Sequence, residues 1–381
     1  MIPSQRHLFD IPDDTAYLNC AYMSPLMHSV VQAGHHGTAG KARPWTITPQ
    51  KFFTESEETR SLFAQLIGAD ANSIAIVPAV SYAIATAALN LPFMPRQEIV
   101  VLRDQFPSNV YPWAELARHR DGVLTFIERP PASNKGTDWT PAILEAISER
   151  TAIVALPHCH WTDGALIDLV AVGRAARAHG AALVLDLTQS LGALPFNIAG
   201  IQPDFAVAAC YKWLLGPYSI GFMYVAPRWH EGNPLEEGWI ARNQSEDFTR
   251  LVEYQSDYQP GARRFDMGER SNFHLMPMAK AALEQVLDWS VEEIATTLSV
   301  RTGQIAGRAQ AFGLTASAPH LRAGHYLGLR FPKAPPPGLI DRLCSHNVYV
   351  SLRGDSMRVT PHLYNTDTDV ERFFAALQDT L

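Results

Sequence analysis

The chain has 381 residues, 47% of them hydrophobic and 18% charged, with 31 Lys and Arg against 38 Asp and Glu and a net charge of -7. At roughly 150 residues per domain this predicts two or three domains around a large apolar interior, which excludes a disordered tail, a collagen and a disulfide-stapled mini-domain. No basic block is present, so phosphate-backbone binding to nucleic acid has no support.

The opening MIPSQRHLFDIPDD has no apolar run and turns acidic early, which predicts no signal peptide. Residues 71–95 carry no charge, but Pro78, Ser81, Tyr82, Asn90 and Pro92 interrupt them. A buried strand and then a buried helix are expected there, not a membrane span. From residue 70 to 225 short apolar runs alternate with helical patterns. Strands are predicted at 73–77, 98–102, 122–127, 152–156, 182–187, 205–209 and 220–225, and helices at 82–89, 110–118, 141–147 and 169–178. The fold class is therefore α/β, a doubly wound and mostly parallel seven-stranded sheet covered on both faces. The last two strands have little helix before them, so part of the sheet is expected to be antiparallel. Residues 226–270 read as irregular, and a helical pattern resumes over 276–298. A smaller α+β unit follows: a strand at 326–331, a Pro-rich turn at 335–337, a helix at 339–346, strands at 348–352 and 357–360, and a helix at 369–377. The expected division is a large domain over 16–270 and a small C-terminal domain over 271–381, joined by the N-terminal segment 1–15.

Several motifs fail. There is no G-x-G-x-x-G after the first strand, no H-E-x-x-H and no G-x-S-x-G. The run GHHGTAGKA (34–42) looks like a phosphate loop, but its glycine spacing is wrong and it precedes the first strand of the sheet. His158-Cys159-His160 has no third metal ligand at a fitting offset. Cys20, Cys159, Cys210 and Cys344 form no C-x-x-C pair, and read as reduced thiols of a cytoplasmic chain.

In open α/β sheets ligands gather beyond the carboxyl ends of the strands. Those ends supply Asp186 and Gln189 after one strand and Tyr211-Lys212 after the next. Others lead to His160 and Trp161, to Phe106, and to Ser81 at the start of a helix. This set fits an aldehyde cofactor with a phosphate and a protonatable ring nitrogen, pyridoxal 5'-phosphate. A lysine among apolar neighbours has its pKa lowered and can attack an aldehyde. A carboxylate opposite the pyridine nitrogen keeps the ring an electron sink, a helix N-terminus with a hydroxyl suits a phosphate, and an aromatic face stacks on the ring.

At these residues the chain resembles the class V aminotransferase group of fold-type I pyridoxal-phosphate enzymes, which includes cysteine desulfurases, kynureninases and isopenicillin N epimerase-like proteins. The resemblance runs from YLNCAYMSP (17–25) to RVTPHLYNT (358–366) and is strongest over residues 183–225. It implies Lys212 as the Schiff-base lysine, Asp186 at the ring nitrogen and Gln189 at the ring's phenolic oxygen. It further implies Phe106 stacked on the ring, Ser81 and Tyr211 at the phosphate, and Arg358 on the substrate α-carboxylate. His160 and Trp161 would wall the pocket, and Asn19 and Tyr22 would stand near its mouth. RRFDMGERSN (263–272) is similar to the segment that crosses to the other subunit's phosphate, with Ser271 or Asn272 as donor, which implies a homodimer with active sites at the subunit interface. Two departures stand out. SLRGDS (351–356) connects directly to the arginine strand without the desulfurase cysteine, and Gly238-Trp239 continues into Ile240-Ala241 where kynureninases carry an aromatic residue, Gly and His.

The implied activity is a pyridoxal-phosphate enzyme acting on a small amino acid, whose amine would replace Lys212 on the cofactor, with no membrane or nucleic-acid partner. Aminotransferase comes first because neither lyase signature is intact; a Cβ–S or Cβ–C lyase and an epimerase share the early steps. The rival from another class is a non-catalytic protein on the same fold.

Overall fold

The computed structural model describes residues 1–131 and 135–381. The chain begins with β1 (Ala16–Tyr17), α1 (His28–Lys41) and α2 (Thr54–Ile67), then alternates through β2 (Ile74–Val77), α3 (Val80–Asn90), β3 (Glu98–Leu102), α4 (Tyr111–His119), β4 (Val123–Ile127) and α5 (Thr140–Ala146). It continues with β5 (Thr151–Pro157), α6 (Leu169–Ala178), β6 (Ala182–Asp186), α7 (Ile198–Ile201), β7 (Phe205–Ala209) and β8 (Gly221–Val225). Two long helices, α8 (Leu275–Trp289) and α9 (Val291–Ala309), precede β9 (Thr315–Ala316), β10 (Leu327–Arg330), α10 (Leu339–Ser345), β11 (Val348–Tyr349), β12 (Ser351–Arg353), β13 (Ser356–Val359) and α11 (Asp367–Thr380).

Among the described residues seven strands form the large sheet in the order β2-β8-β7-β6-β5-β3-β4. β8 runs antiparallel to both β7 and β2, and the other neighbours are parallel. The expected mixture is therefore present, with a single reversed strand. Alternation along each strand divides the core between two faces. Val100 and Leu102 of β3 join α2, α6 and α8 on one side, while Ile99 and Val101 join α3 and α4 on the other. Both faces are buried, so these strands are nearly continuous apolar runs. Residues 71–95 form the end of a turn, β2 and α3, and no described helix is long and apolar enough to cross a membrane.

The C-terminal sheet has the order β12-β13-β10-β9 and packs on α10 and α11. Ala16 and Leu18 are buried in this same cluster, and β1 pairs in parallel with β11. The N-terminal segment is tied there too: Gln5 N–H donates to Leu363 O, and Arg6 Nη1 lies 2.9 Å from Asp369. In the other direction Met276, Ala279 and Leu283 of α8 pack in the core of the large sheet.

Two local expectations are corrected. The helix expected over 276–298 is two helices, broken at Ser290 with φ 64°. The apolar rhythm of Leu283, Val286, Trp289, Val291, Ile294 and Leu298 runs through the break, and no glycine or proline marks it. The glycine run 34–42 lies mostly within α1, a helix absent from the sequence expectations. Its glycines serve helix packing: a Cβ on Gly37 would lie 2.1 Å from Phe273 O, and one on Gly34 would lie 2.7 Å from Met278 Sδ. By contrast, nothing lies within 4 Å of a Cβ on Gly40. Gly37→Ala should therefore lower stability by about 1–3 kcal/mol through overpacking, whereas Gly40→Ala should raise it by about 0.5–1 kcal/mol. Urea denaturation of the two variants checks the opposite signs.

Candidate active site

Because β2, β3, β5, β6 and β7 all point one way, their carboxyl ends meet at one edge, and β8 begins there. A cavity of about 410 Å³ opens at that edge. Its lining includes Ser81, Phe106, Trp161, Asp186, Gln189, Tyr211 and Lys212, so the strand-end residues singled out from sequence converge as far as these seven.

Lys212 follows β7 by three residues and is 6% exposed. Its ammonium lies 5.3 Å from the Phe106 ring centroid and 5.4 Å from that of Tyr211. Burial lowers its pKa to about 8; the Asp186 charge works against this, while Arg358 and Arg353 add to it. Asp186 ends β6, and its Oδ1 accepts the Thr188 N–H at 3.0 Å. Burial raises the pKa of this carboxyl, against the Thr188 hydrogen bonds and the Lys212 charge. A carboxylate buried this way is relieved by a cation placed beside it. Thr188 was not singled out from sequence; its hydroxyl also accepts the Ala209 N–H at 3.1 Å, which locks the end of β7 to the Asp186 turn. The D-x-T spacing at a strand end is the signal that could have found it.

Gln189 is held at both ends of its amide, donating to Ala21 O at 3.1 Å and accepting from Trp213 Nε1 at 3.1 Å, which leaves one amide N–H free to meet a ligand. Trp161 donates from Nε1 to Asp104 O at 2.6 Å and meets Phe106 edge to face, with ring centroids 5.5 Å apart. Ser81 sits at the second position of α3. The helix is capped by Ala79 without a side-chain bond, and Ala79, Val80 and Ser81 line the cavity at the helix N-terminus, where the first N–H groups lack intrahelical partners.

Arg358 on β13 stands outside the cavity lining but beside it, and is 1% exposed. Its Nε donates to Ser351 Oγ at 2.8 Å, and its Nη1 to Trp161 O at 3.2 Å and Tyr326 Oη at 3.3 Å, while Nη2 has no partner. Asn19 supports this arrangement at one remove: its Oδ1 accepts from Ser351 Oγ at 3.0 Å. Tyr22 is exposed and close enough to Arg353 to act on its charge. Sequence reasoning missed Ser351 and Tyr326, because nothing local announces that they hold a guanidinium.

The structure does not bring every expected residue to the cavity. His160 turns inward and is fully buried, stacked on Trp139 at 5.3 Å and hydrogen-bonded to Thr162 at 2.7 Å. Burial lowers its pKa to about 4, so it is a neutral core histidine and not a pocket wall. Ser271 Oγ donates to Phe52 O, and Asn272 Oδ1 accepts from the N–H groups of His274 and Leu275 at 3.1 and 2.9 Å. Neither lines this chain's own cavity.

The residues fit pyridoxal phosphate on independent grounds. An amine of lowered pKa, a buried carboxylate relieved by a cation, a helix N-terminus with a hydroxyl and an aromatic face all open on one cavity. Lys212 also sets a pH signature of the cofactor-free protein. Its folded pKa of about 8 lies below the unfolded 10.5, so the unfolded state binds more protons between these values and stability rises with pH through that window. The gain is about 3 kcal/mol between pH 8 and 10.5. Denaturation of Lys212→Met should lack this increment when compared with the parent at pH 7 and pH 10.

Comparison with known proteins agrees with this geometry. Residues 17–238 match the family model Aminotransferase class-V. Over 321 residues the chain is 26% identical to the uncharacterized aminotransferase YcbU of Bacillus subtilis, covering 83% of this chain and 81% of that one. It is 27% identical to the kynureninase of Myxococcus xanthus, covering 91% and 82%, and 24% identical to the isopenicillin N epimerase of Streptomyces clavuligerus, covering 84% and 83%. In fold it is similar to a cysteine desulfurase from Thermococcus onnurineus, with a TM-score of 0.84 at 19% identity over 100% of this chain and 98% of that one. The cystine C–S lyase C-DES superposes with a TM-score of 0.85 at 17% identity over 97% and 98%. With a lysine, a carboxylate and a helix N-terminus at one sheet edge and a family match over more than half its length, the chain belongs to the class V aminotransferase family of fold-type I pyridoxal-phosphate enzymes.

Proposed function

We propose that the protein is an aminotransferase of a small α-amino acid. The observation that carries this reading is Lys212, the one lysine among the described residues that line the cavity. Its pKa is lowered to about 8. Burial pushes the pKa of the cavity-lining thiol of Cys159 and phenol of Tyr211 upward, so both stay protonated near neutrality. A proton taken from the substrate at Lys212 Nζ therefore returns through the same amine, which is what moving an amino group between carbons requires.

Bound pyridoxal phosphate supplies a carbonyl for the substrate amine and an electron sink for the charge left at the α-carbon. Lys212, Asp186, Gln189, Phe106, Ser81 and Tyr211 would hold it. Asp186 holds positive charge at its end of the cavity: two unit charges about 4 Å apart gain roughly 4 kcal/mol at an effective dielectric of ~20. Arg358 Nη2, buried without a partner, receives the α-carboxylate, and Ser351, Trp161 O and Tyr326 fix the plane of its fork. Phe106 and Trp161 meet edge to face and keep water from the amine.

A second reading is expulsion of a side-chain group at Cβ. The kynureninase relatives favour it, since one of them aligns over 91% of this chain. Against a desulfurase-type persulfide, Cys20, Cys159 and Cys210 are buried with raised pKa, and Cys344 lies on α10 in the C-terminal unit. Pairing of two copies, with the 263–272 segment of each near the other's phosphate end, is part of the same proposal, and the exposed Trp45, Trp239, Val252 and Tyr254 support it.

Purified protein given pyridoxal phosphate and an amino-acid panel should form 2-oxo acids and pass the amino group to an added 2-oxo acid. Sulfide, alanine or ammonia in stoichiometric yield without amino transfer assigns the lyase reading, and inversion without 2-oxo acid assigns epimerisation. Borohydride should fix one pyridoxyl group on Lys212 by peptide mass, and Lys212→Ala should abolish turnover. Asp186→Ala should lower kcat about a thousandfold with the fold intact. Turnover of Asp186→Ala at the parent level contradicts the assignment of that carboxylate.

A further inference from the structure

Two guanidinium groups near the cavity have no carboxylate partner within 4 Å among the described residues, and the reading above uses only one of them. Ser351 and Arg353 are two residues apart on β12, so their side chains share a face. The antiparallel register sets Ser351 opposite Arg358, which brings Arg358 to that same face. The two guanidinium carbons stand over one indole, 5.6 Å (Arg353) and 5.9 Å (Arg358) from the Trp161 ring centroid. Arg353 is half-buried, and its Nη1 donates only to Leu352 O at 2.7 Å. Its remaining N–H groups have no acceptor among the described residues, and burial together with the Arg358 charge disfavours its own cationic form.

The charge balance at this end of the cavity is lopsided. The buried Lys212 amine feels both Arg358 and Arg353, with Asp186 as the opposing carboxylate. One α-carboxylate on Arg358 leaves Arg353 uncompensated. A half-buried guanidinium kept beside another cation is costly unless a ligand brings a second negative charge. The planar fork suits a carboxylate better than any neutral side chain.

We propose that Arg353 is a specificity-determining residue that receives a second carboxylate on the substrate side chain, so that the site selects dicarboxylic amino acids. The assignment rests on the amino-acid reading given above and deepens it. Trp161 is the shared platform, with its indole beneath both guanidinium groups and its carbonyl fixing Arg358.

The test uses the protein loaded with pyridoxal phosphate and two unreactive probes, glutarate and butyrate, titrated by calorimetry. Glutarate should bind about tenfold or more tighter than butyrate, as expected for one added charge-assisted contact. Arg353→Gln should remove this advantage and Arg353→Lys should keep part of it. In turnover, Arg353→Gln should raise KM for aspartate or glutamate about tenfold more than for alanine, with a smaller effect on kcat. Equal affinity for the two probes in the parent, or an unchanged ratio in Arg353→Gln, overturns the second carboxylate site and leaves the amino-acid reading standing. A glutarate advantage lost in Arg353→Gln, in a protein that transfers no amino group from any amino acid, upholds the site and overturns the reaction assigned above.

Discussion

The site depends on one uncomfortable amine. Lys212 is held among Phe106, Tyr211 and the end of β7 with little water, so the folded chain makes its charged form expensive. A free lysine near neutrality is almost wholly protonated and inert toward a carbonyl. Lowering the pKa from 10.5 to about 8 raises the neutral fraction roughly 300-fold at neutral pH. Asp186 opposes that shift and so limits it. The pair is a compromise: the carboxylate needs a cation, the lysine needs to lose its proton, and a cationic ring resolves both needs. Neither group is well served by the protein's own side chains, which is the usual mark of a site built for a ligand and not for stability.

The sheet explains how such a compromise is placed reliably. Most side chains that line the cavity stand at a strand end or a few residues beyond one, with Tyr218, Ser219 and Ile220 leading into β8, and the strands themselves are anchored on both faces. Short exits from rigid strands leave little freedom for Asp186, Lys212 or Phe106. The Asp186 turn and the β7 end are further fastened by Thr188, which bonds one through its N–H and the other through its hydroxyl. Positioning is thus achieved by backbone connections that form for packing reasons, with polar cross-links at the last step.

This division also accounts for what could be read in the sequence. Uninterrupted apolar runs identified all seven strands of the large sheet, because a strand buried on both faces needs nothing but apolar residues. The strand-end residues followed from topology, so Asp186, Lys212, Phe106 and Trp161 could be named before their contacts were seen. α1 and α2 were not legible. α1 carries three glycines that weaken a helical pattern, and two of them, Gly34 and Gly37, let α8 and the residues just before it approach. His160 misled for the opposite reason: a strand-end histidine is a good candidate by position, but only the stacking on Trp139 shows that its ring turns into the core. Thr188, Ser351 and Tyr326 act through a second residue, and a contact at one remove leaves no local pattern.

The carboxylate end is assembled across the two sheets, which sets its rigidity. Asp163 follows β5 in the large unit and lies 2.7 Å from Arg129 and 3.0 Å from Arg330 on β10 of the C-terminal sheet. Burial alone would raise its pKa, but Arg129, the Ala165 backbone hydrogen bond and Arg330 outweigh burial and keep the carboxylate charged. The loop between β5 and α6 is therefore clamped to both units, and Trp161 sits on it. Arg358 and Tyr326, from the C-terminal unit, both donate to the Trp161 carbonyl. Buried ion pairs of this kind add little net stability, yet removing one partner leaves the other uncompensated, so the geometry resists drift. The Arg358 end is thus fixed by charge and the Lys212 end by packing. The two ends still communicate, because Arg353 and Arg358 both act on the charge of Lys212, and Trp161 meets the Phe106 ring that Lys212 faces.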